Sequence, residues 1–161
     1  MDWLQFIGKE LIRRNDGKFG FNEPVTEGML TELKERFGLT QLPEELEALY
    51  GQTNGVNDFV YIESVDEFIL SEEFIWSVER VIETNTFNRT SAIYKNIYKS
   101  FDNLFFFADS GCGDHFGFEA VNGTFERTDV YLWDHEDDTR VWVAPNMKAF
   151  IEGSVNGTIK V

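Results

Sequence analysis

The apolar pattern changes partway along this chain from helical spacing to mainly strand-like runs, and that change limits the folds open to it. Trp3, Phe6, Ile7 and Leu11 recur at helical spacing, with Lys9, Arg13 and Arg14 at polar positions, and Asn15-Asp16-Gly17 marks a stop. A second helix is expected after Thr26, with Met29, Leu30, Leu33 and Phe37 facing inward and Gly38 as its C-terminal cap. Leu42-Pro43-Glu44-Glu45-Leu46 then opens a third. Proline at the first helical position suits its fixed φ, and acids in the first turn complement the helix dipole. This helix carries Leu46, Leu49 and Tyr50 inward and ends before Asn54-Gly55.

Short β-rich runs follow. Phe59-Val60-Tyr61-Ile62 and Phe74-Ile75-Trp76 read as strands, and Ser77 can cap a helix through Val78, Val81 and Ile82. Residues 86–103 are ambiguous, although Ile93, Tyr94 and Ile97 allow a helix. Leu104-Phe105-Phe106-Phe107-Ala108 is a buried strand, Ser110-Gly111-Cys112-Gly113 a tight turn and His115-Phe116-Gly117-Phe118 its partner strand. Asn122-Gly123 is the signature of a two-residue turn with positive φ. Val130-Tyr131-Leu132-Trp133 and Val141-Trp142-Val143 add two strands. Pro145 stops the sheet, and Asn146 caps a last helix bearing Met147, Phe150 and Ile151. Helices first, then a meandering antiparallel sheet, then a closing helix make an α+β fold with helices packed on the sheet. The 161 residues fit one domain, 1–161, with no linker or repeat.

Charge narrows the partners. A formal net charge of −15 repels phosphate backbones, which argues against nucleic-acid binding, and it accelerates encounter with a basic protein. Cys112 is the single cysteine, so no internal disulfide is possible, as suits a reducing compartment. The N-terminus lacks a signal-peptide pattern, and no apolar run approaches a membrane span, so a cytoplasmic location is expected.

Chemistry is poorly supplied. There is no phosphate-binding loop, and Gly111-Cys112-Gly113 lacks a third glycine because Phe116 stands in its place. Cys112 has Asp109 and Asp114 nearby, which disfavour a thiolate, so neither His115 nor His135 makes it a convincing nucleophile. Asp134, His135, Glu136, Asp137 and Asp138 are consecutive donors, but neighbours in one turn rarely converge on one ion. Gly111 occupies a position where a calcium loop needs an oxygen ligand. No catalytic, cofactor or metal residues are assigned.

Two acidic runs lack lysine and arginine. Residues 63–73 hold Glu63, Asp66, Glu67, Glu72 and Glu73, and residues 129–138 hold Asp134, Glu136, Asp137 and Asp138. Together they would form an anionic face edged by Tyr61, Trp76, Tyr131 and Trp133, suited to a basic protein. Individually, Trp76 and Trp133 read as core. An exposed aromatic patch can equally serve a homodimer contact.

Four segments in order carry a family resemblance: Leu42-Pro43-Glu44-Glu45-Leu46 with Thr53-Asn54-Gly55; Phe107-Ala108-Asp109-Ser110-Gly111-Cys112-Gly113-Asp114; Val130-Tyr131-Leu132-Trp133-Asp134-His135-Glu136; and Met147-Lys148-Ala149-Phe150-Ile151. Over residues 25–152 this set resembles the SUKH superfamily. That group includes fungal cell-wall assembly regulators, the bacterial Syd protein and immunity proteins of polymorphic toxin systems. The resemblance implies an α+β fold without catalytic residues that acts by binding protein. It points to an immunity protein against a cognate toxin, often a nuclease, with a regulatory adaptor as the alternative. Pro43, Asn54, Gly55, Gly111, Gly113, Asp114 and Trp133 carry the resemblance as fold-making residues, so they do not locate the partner.

Overall fold

The computed structural model describes residues 1–10 and 17–159; Leu11, Arg13, Arg14 and the Asn15-Asp16 stop lie outside the described residues. The first helix, α1, is a single α-turn, Trp3–Gln5, that widens into a π-helical stretch, Phe6–Glu10. Trp3, Phe6 and Ile7 are buried, as their spacing requires.

The remaining helices follow their capping signals. In α2, Glu27–Phe37, the Thr26 hydroxyl accepts from the Met29 N–H, and Gly38 ends the helix in the left-handed region. In α3, Glu44–Tyr50, Pro43 sits at the cap, one residue earlier than expected. Ser77 caps α4, Val78–Thr90, and Asn146 caps α6, Met147–Asn156. The ambiguous stretch completes α4 and adds α5, Ala92–Ile97. Tyr94 turns inward against Phe101 and Trp133, whereas Ile93 and Ile97 are exposed rather than part of the core.

The expected continuous meander divides into two antiparallel sheets. One has the order β1-β2-β3, formed by Lys18–Phe21, Val56–Ile62 and Glu67–Ile75. The other is β4-β5-β6-β7, formed by Leu104–Asp109, His115–Glu119, Val130–Trp133 and Arg140–Ala144. β1 had no signal in the sequence. The strand expected at Phe74-Ile75-Trp76 is the last part of a longer β3, and Trp76 lies just beyond its end. Two register shifts lie between β2 and β3 near the base of their hairpin, where such bulges bend a strand, and beyond them residues 63–71 are exposed. Asn122-Gly123 does form a tight turn with both residues at positive φ, but it closes only an isolated bridge between Val121 and Thr124.

β4 supplies the centre of the core: Leu104, Phe105, Phe106, Phe107 and Ala108 are all buried. A strand buried on both faces leaves its backbone groups to be satisfied from within. Asn85 on α4 meets part of that need. Its carboxamide donates to the Phe106 carbonyl at 2.8 Å and accepts from the Phe106 N–H at 2.9 Å. The Trp76 N–H donates to the Phe107 carbonyl at 2.9 Å, joining the end of β3 to β4.

The Asn54-Gly55 turn locks α3 to α4. Asn54 Oδ1 accepts from the Val78 N–H at 2.8 Å, and Asn54 Nδ2 donates to Glu79 at 2.8 Å. Gly55 has φ +81, and a methyl group there would lie 2.7 Å from the Ile75 carbonyl oxygen. Gly38 has φ +62 with nothing within 4 Å. The pair separates backbone strain from close approach. Gly38→Ala is expected to cost about 1 kcal/mol, and Gly55→Ala about 3 kcal/mol, in urea unfolding. Equal costs would show that the close approach at Gly55 contributes nothing.

Candidate protein-binding face

The first acidic run occupies the β2–β3 hairpin. Glu63, Asp66 and Glu67 are exposed at its tip, and Asp66 adopts a positive φ of 56°. Tyr61 packs on Phe68 with ring centroids 5.3 Å apart, and its hydroxyl donates to the Asp66 carboxylate. That bond holds the Tyr61 phenol above its ordinary pKa. Glu72 and Glu73 lie nearer the body. Glu73 accepts from Ser77 and pairs with Arg80 at 3.4 Å. Arg80 also pairs with Asp109 and lies over the Trp76 ring, 4.9 Å from its centroid.

The second run forms the β6–β7 hairpin. Glu136 and Asp137 are exposed at its tip; Asp134 is half-buried and accepts from the Glu136 N–H at 2.8 Å. Asp137 accepts from Thr139, whose hydrogen bonds hold its carboxyl below the usual range. Tyr131 is half-buried opposite Gly117 and Trp142. Asp138 turns inward: it is buried, at φ 59°, and accepts from Trp133 Nε1 and from the Lys99 N–H, both at 2.9 Å. Trp76 and Trp133 are both buried, so neither edges a face.

The glycine turn after β4 connects the two runs. Gly111 and Gly113 have φ +76 and +106. A methyl group on Gly111 would lie 3.2 Å from Glu72 Oε2, and one on Gly113 would lie 3.2 Å from the His135 ring. Asp114 reaches the other hairpin, accepting from the His135 N–H at 3.1 Å and meeting His135 Nδ1 at 2.7 Å. Glu72, the glycine turn and residues 134–137 therefore form one continuous edge. The β2–β3 tip stands apart: Glu67 is five residues beyond Glu72, about 16 Å along an extended strand. The acidic surface thus has two lobes. Among the described residues, no ion pair engages Glu63, Asp66, Glu67, Asp134, Glu136 or Asp137.

Donors for other chemistry also meet at this edge. Ligand atoms of Asp114, Asp134 and His135 lie within 4.8 Å of one another, a juxtaposition of two loops that consecutive numbering hid. These are the residues whose spacing would admit a metal ion, although His135 Nδ1 is already hydrogen-bonded to Asp114. Cys112 is exposed, and both histidines have other hydrogen-bond partners, His115 with Asn88 and His135 with Asp114.

Sequence reasoning weighed the acids of residues 63–73 and passed over the apolar residues between them. Val65, Phe68, Ile69 and Leu70 are 54%, 43%, 46% and 52% exposed. Phe68-Ile69-Leu70 reads as core by composition alone; the lack of lysine and arginine anywhere between Arg36 and Arg80 was the available signal that this region is a surface of one sign.

The sequence model of the SMI1/KNR4 family (SUKH-1) matches residues 24–153. The chain belongs to the SMI1/KNR4 family. No curated protein matches it significantly. The matched region of this SMI1/KNR4 chain runs from before α2 through β2–β7 and the glycine turn and stops within α6, leaving the first helix and β1 outside it. Among the described residues, no helix of the SMI1/KNR4 fold is long and apolar enough to cross a membrane.

The two histidines respond oppositely to pH. Burial among Trp76, Phe106 and Trp133 lowers the His115 pKa from 6.5 to about 4. Its stabilising contribution is full above pH 6.5 and is lost as pH falls toward about 4. The hydrogen bond to Asp114 raises the His135 pKa, so that contribution is full below 6.5 and fades as pH rises through the raised value. Burial works against ionisation of Asp114, but the hydrogen bonds from His135 outweigh it and hold the carboxyl low. NMR titration should find His135 above 6.5 and His115 near 4. Acidification across the His115 window should cost about 3 kcal/mol, and His115→Gln should abolish that loss. A His115 ring titrating near 6.5 would refute its burial in the neutral form.

Proposed function

We propose that this chain is a non-catalytic, cytoplasmic protein-binding domain, an immunity protein that neutralises a basic toxin domain by occupying its surface. Membership of the SMI1/KNR4 family is consistent with immunity or with a regulatory interaction module. The observation that favours a basic partner is the pair of acidic lobes. Among the described residues, Glu63, Asp66 and Glu67 flank exposed apolar side chains on one lobe without ion pairs, and Asp134, Glu136 and Asp137 stand without ion pairs on the other, in a chain of net charge −15. Apolar contact supplies affinity, and the acids supply rapid, oriented encounter. A toxin that acts on nucleic acid carries its own cationic surface. The acidic lobes would compete with phosphate for that surface and, by the same sign of charge, would not bind nucleic acid themselves.

The test pairs the purified chain with a basic toxin domain encoded beside it. An equimolar complex and restored growth on co-expression are expected. The association rate should fall as salt rises, and Glu136→Lys with Asp137→Lys should lower it about tenfold while the chain stays folded, with only the small loss of stability that the missing Asp137–Thr139 hydrogen bond brings. Absence of both complex and protection would remove the immunity reading. An endogenous, non-toxic partner held at equal stoichiometry would move the chain to the regulatory module.

A further inference from the structure

The β3 and β4 sheet edges are finished differently. β4 is closed along its outer side, where Asn85 satisfies Phe106 and the Trp76 N–H satisfies the Phe107 carbonyl. β3 is an edge strand too, but among the described residues nothing hydrogen-bonds its outer side over residues 67–71. An edge strand points alternate N–H and C=O groups away from its neighbour, so this stretch offers a ladder for another chain.

Side chains on both faces of that stretch are apolar and open to solvent. The pairs Tyr61–Phe68 and Phe59–Leu70 share one face, and Val60–Ile69 lies on the other. Phe68, Ile69 and Leu70 are exposed on both sides of the sheet at once. A cation is already accommodated on the aromatic face: Lys18 Nζ lies 4.2 Å from the Phe68 ring centroid.

Charge selects the occupant. A second copy pairing antiparallel through β3 would set acid against acid in the registers centred on Ile69, on Leu70 or between them. Centred between Ile69 and Leu70, Glu67 faces the second copy's Glu72; centred on Leu70 it faces Glu73; centred on Ile69, Asp66 faces Glu72. Like charges directly opposite are destabilising, so self-pairing is opposed while a basic strand is favoured. The geometry points to strand addition: the outer edge of β3 takes an extended segment of alternating basic and apolar residues, supplied by the basic partner. This inference rests on the reading of the acidic lobes as a face for a basic protein, and it assigns the β2–β3 lobe the backbone pairing.

The probe is a capped heptapeptide, Lys-Val-Lys-Ile-Lys-Val-Lys, compared with an analogue of identical charge that is N-methylated on alternate amides. The unmodified peptide should bind and protect the amides of residues 67–71 from hydrogen exchange. The methylated analogue, unable to complete a ladder, should bind at least about tenfold more weakly. Leu70→Lys, at an exposed position, should weaken the unmodified peptide by a similar factor while leaving the melting temperature unchanged. Equal binding of the two peptides, protection elsewhere or no binding at millimolar concentration would each overturn strand addition. The wider reading fails separately. If the peptide does not bind but Glu136→Lys with Asp137→Lys still slows capture of the toxin domain, the acidic face stands and only the pairing mode falls.

Discussion

Trp76 is the residue through which the rest of the structure is joined. Its N–H donates to Phe107 at the centre of the second sheet, and its carbonyl accepts from the Tyr50 hydroxyl of α3 at 2.9 Å. Its indole N–H donates to Asp109 at 3.1 Å, and its ring stands edge-on to His115. One buried residue, through its backbone and its ring together, thus joins the end of the first sheet to the middle of the second, to a helix and to the end of β4. Gly55 packs against the same backbone, which is why a turn between α3 and β2 tolerates no side chain. Losing the indole would remove the donor to Asp109 and the ring packed on His115, while the two backbone bonds that join the sheets and α3 would persist.

Local signals in the sequence were legible wherever the cause is local. Thr26, Ser77 and Asn146 each accept from an N–H three residues on, so their caps could be read from neighbours alone. The apolar run at β4 identified the central strand because its five residues are buried whichever face they point to. Non-local features were not readable. The division into two sheets is a matter of long-range pairing, with β3 meeting β4 through the Trp76 N–H rather than through a ladder. β1 pairs with residues far along the chain, and Lys18-Phe19-Gly20-Phe21, four residues with a glycine among them, is too short to announce it. Asn85, mid-helix and polar, gave no hint that it satisfies a strand 21 residues later.

The acids divide by what they touch, which their positions alone did not reveal. Asp138 and Asp109 answer indole N–H groups, and Asp114 ties one loop to the next. Buried or half-buried, these carboxylates are fixed by donors that the fold supplies, and substitution would leave those donors unpaired. Glu63, Asp66, Glu67, Glu136 and Asp137 stand exposed in hairpin tips. Consecutive Asp137 and Asp138 fall on opposite sides of this division, because the positive φ at Asp138 turns its carboxylate under Trp133.

The β2–β3 hairpin also runs from the rigid to the expendable along its own length. Val56 and Ile75, paired at its base, are fully buried, whereas every residue from 63 to 71 is exposed. Mutations at the base are paid for in folding; those toward the tip are nearly neutral to it. A lineage can therefore rewrite the outer hairpin and follow a changing partner without first acquiring compensating stability elsewhere. An arm built this way separates the evolution of recognition from the evolution of the fold that carries it.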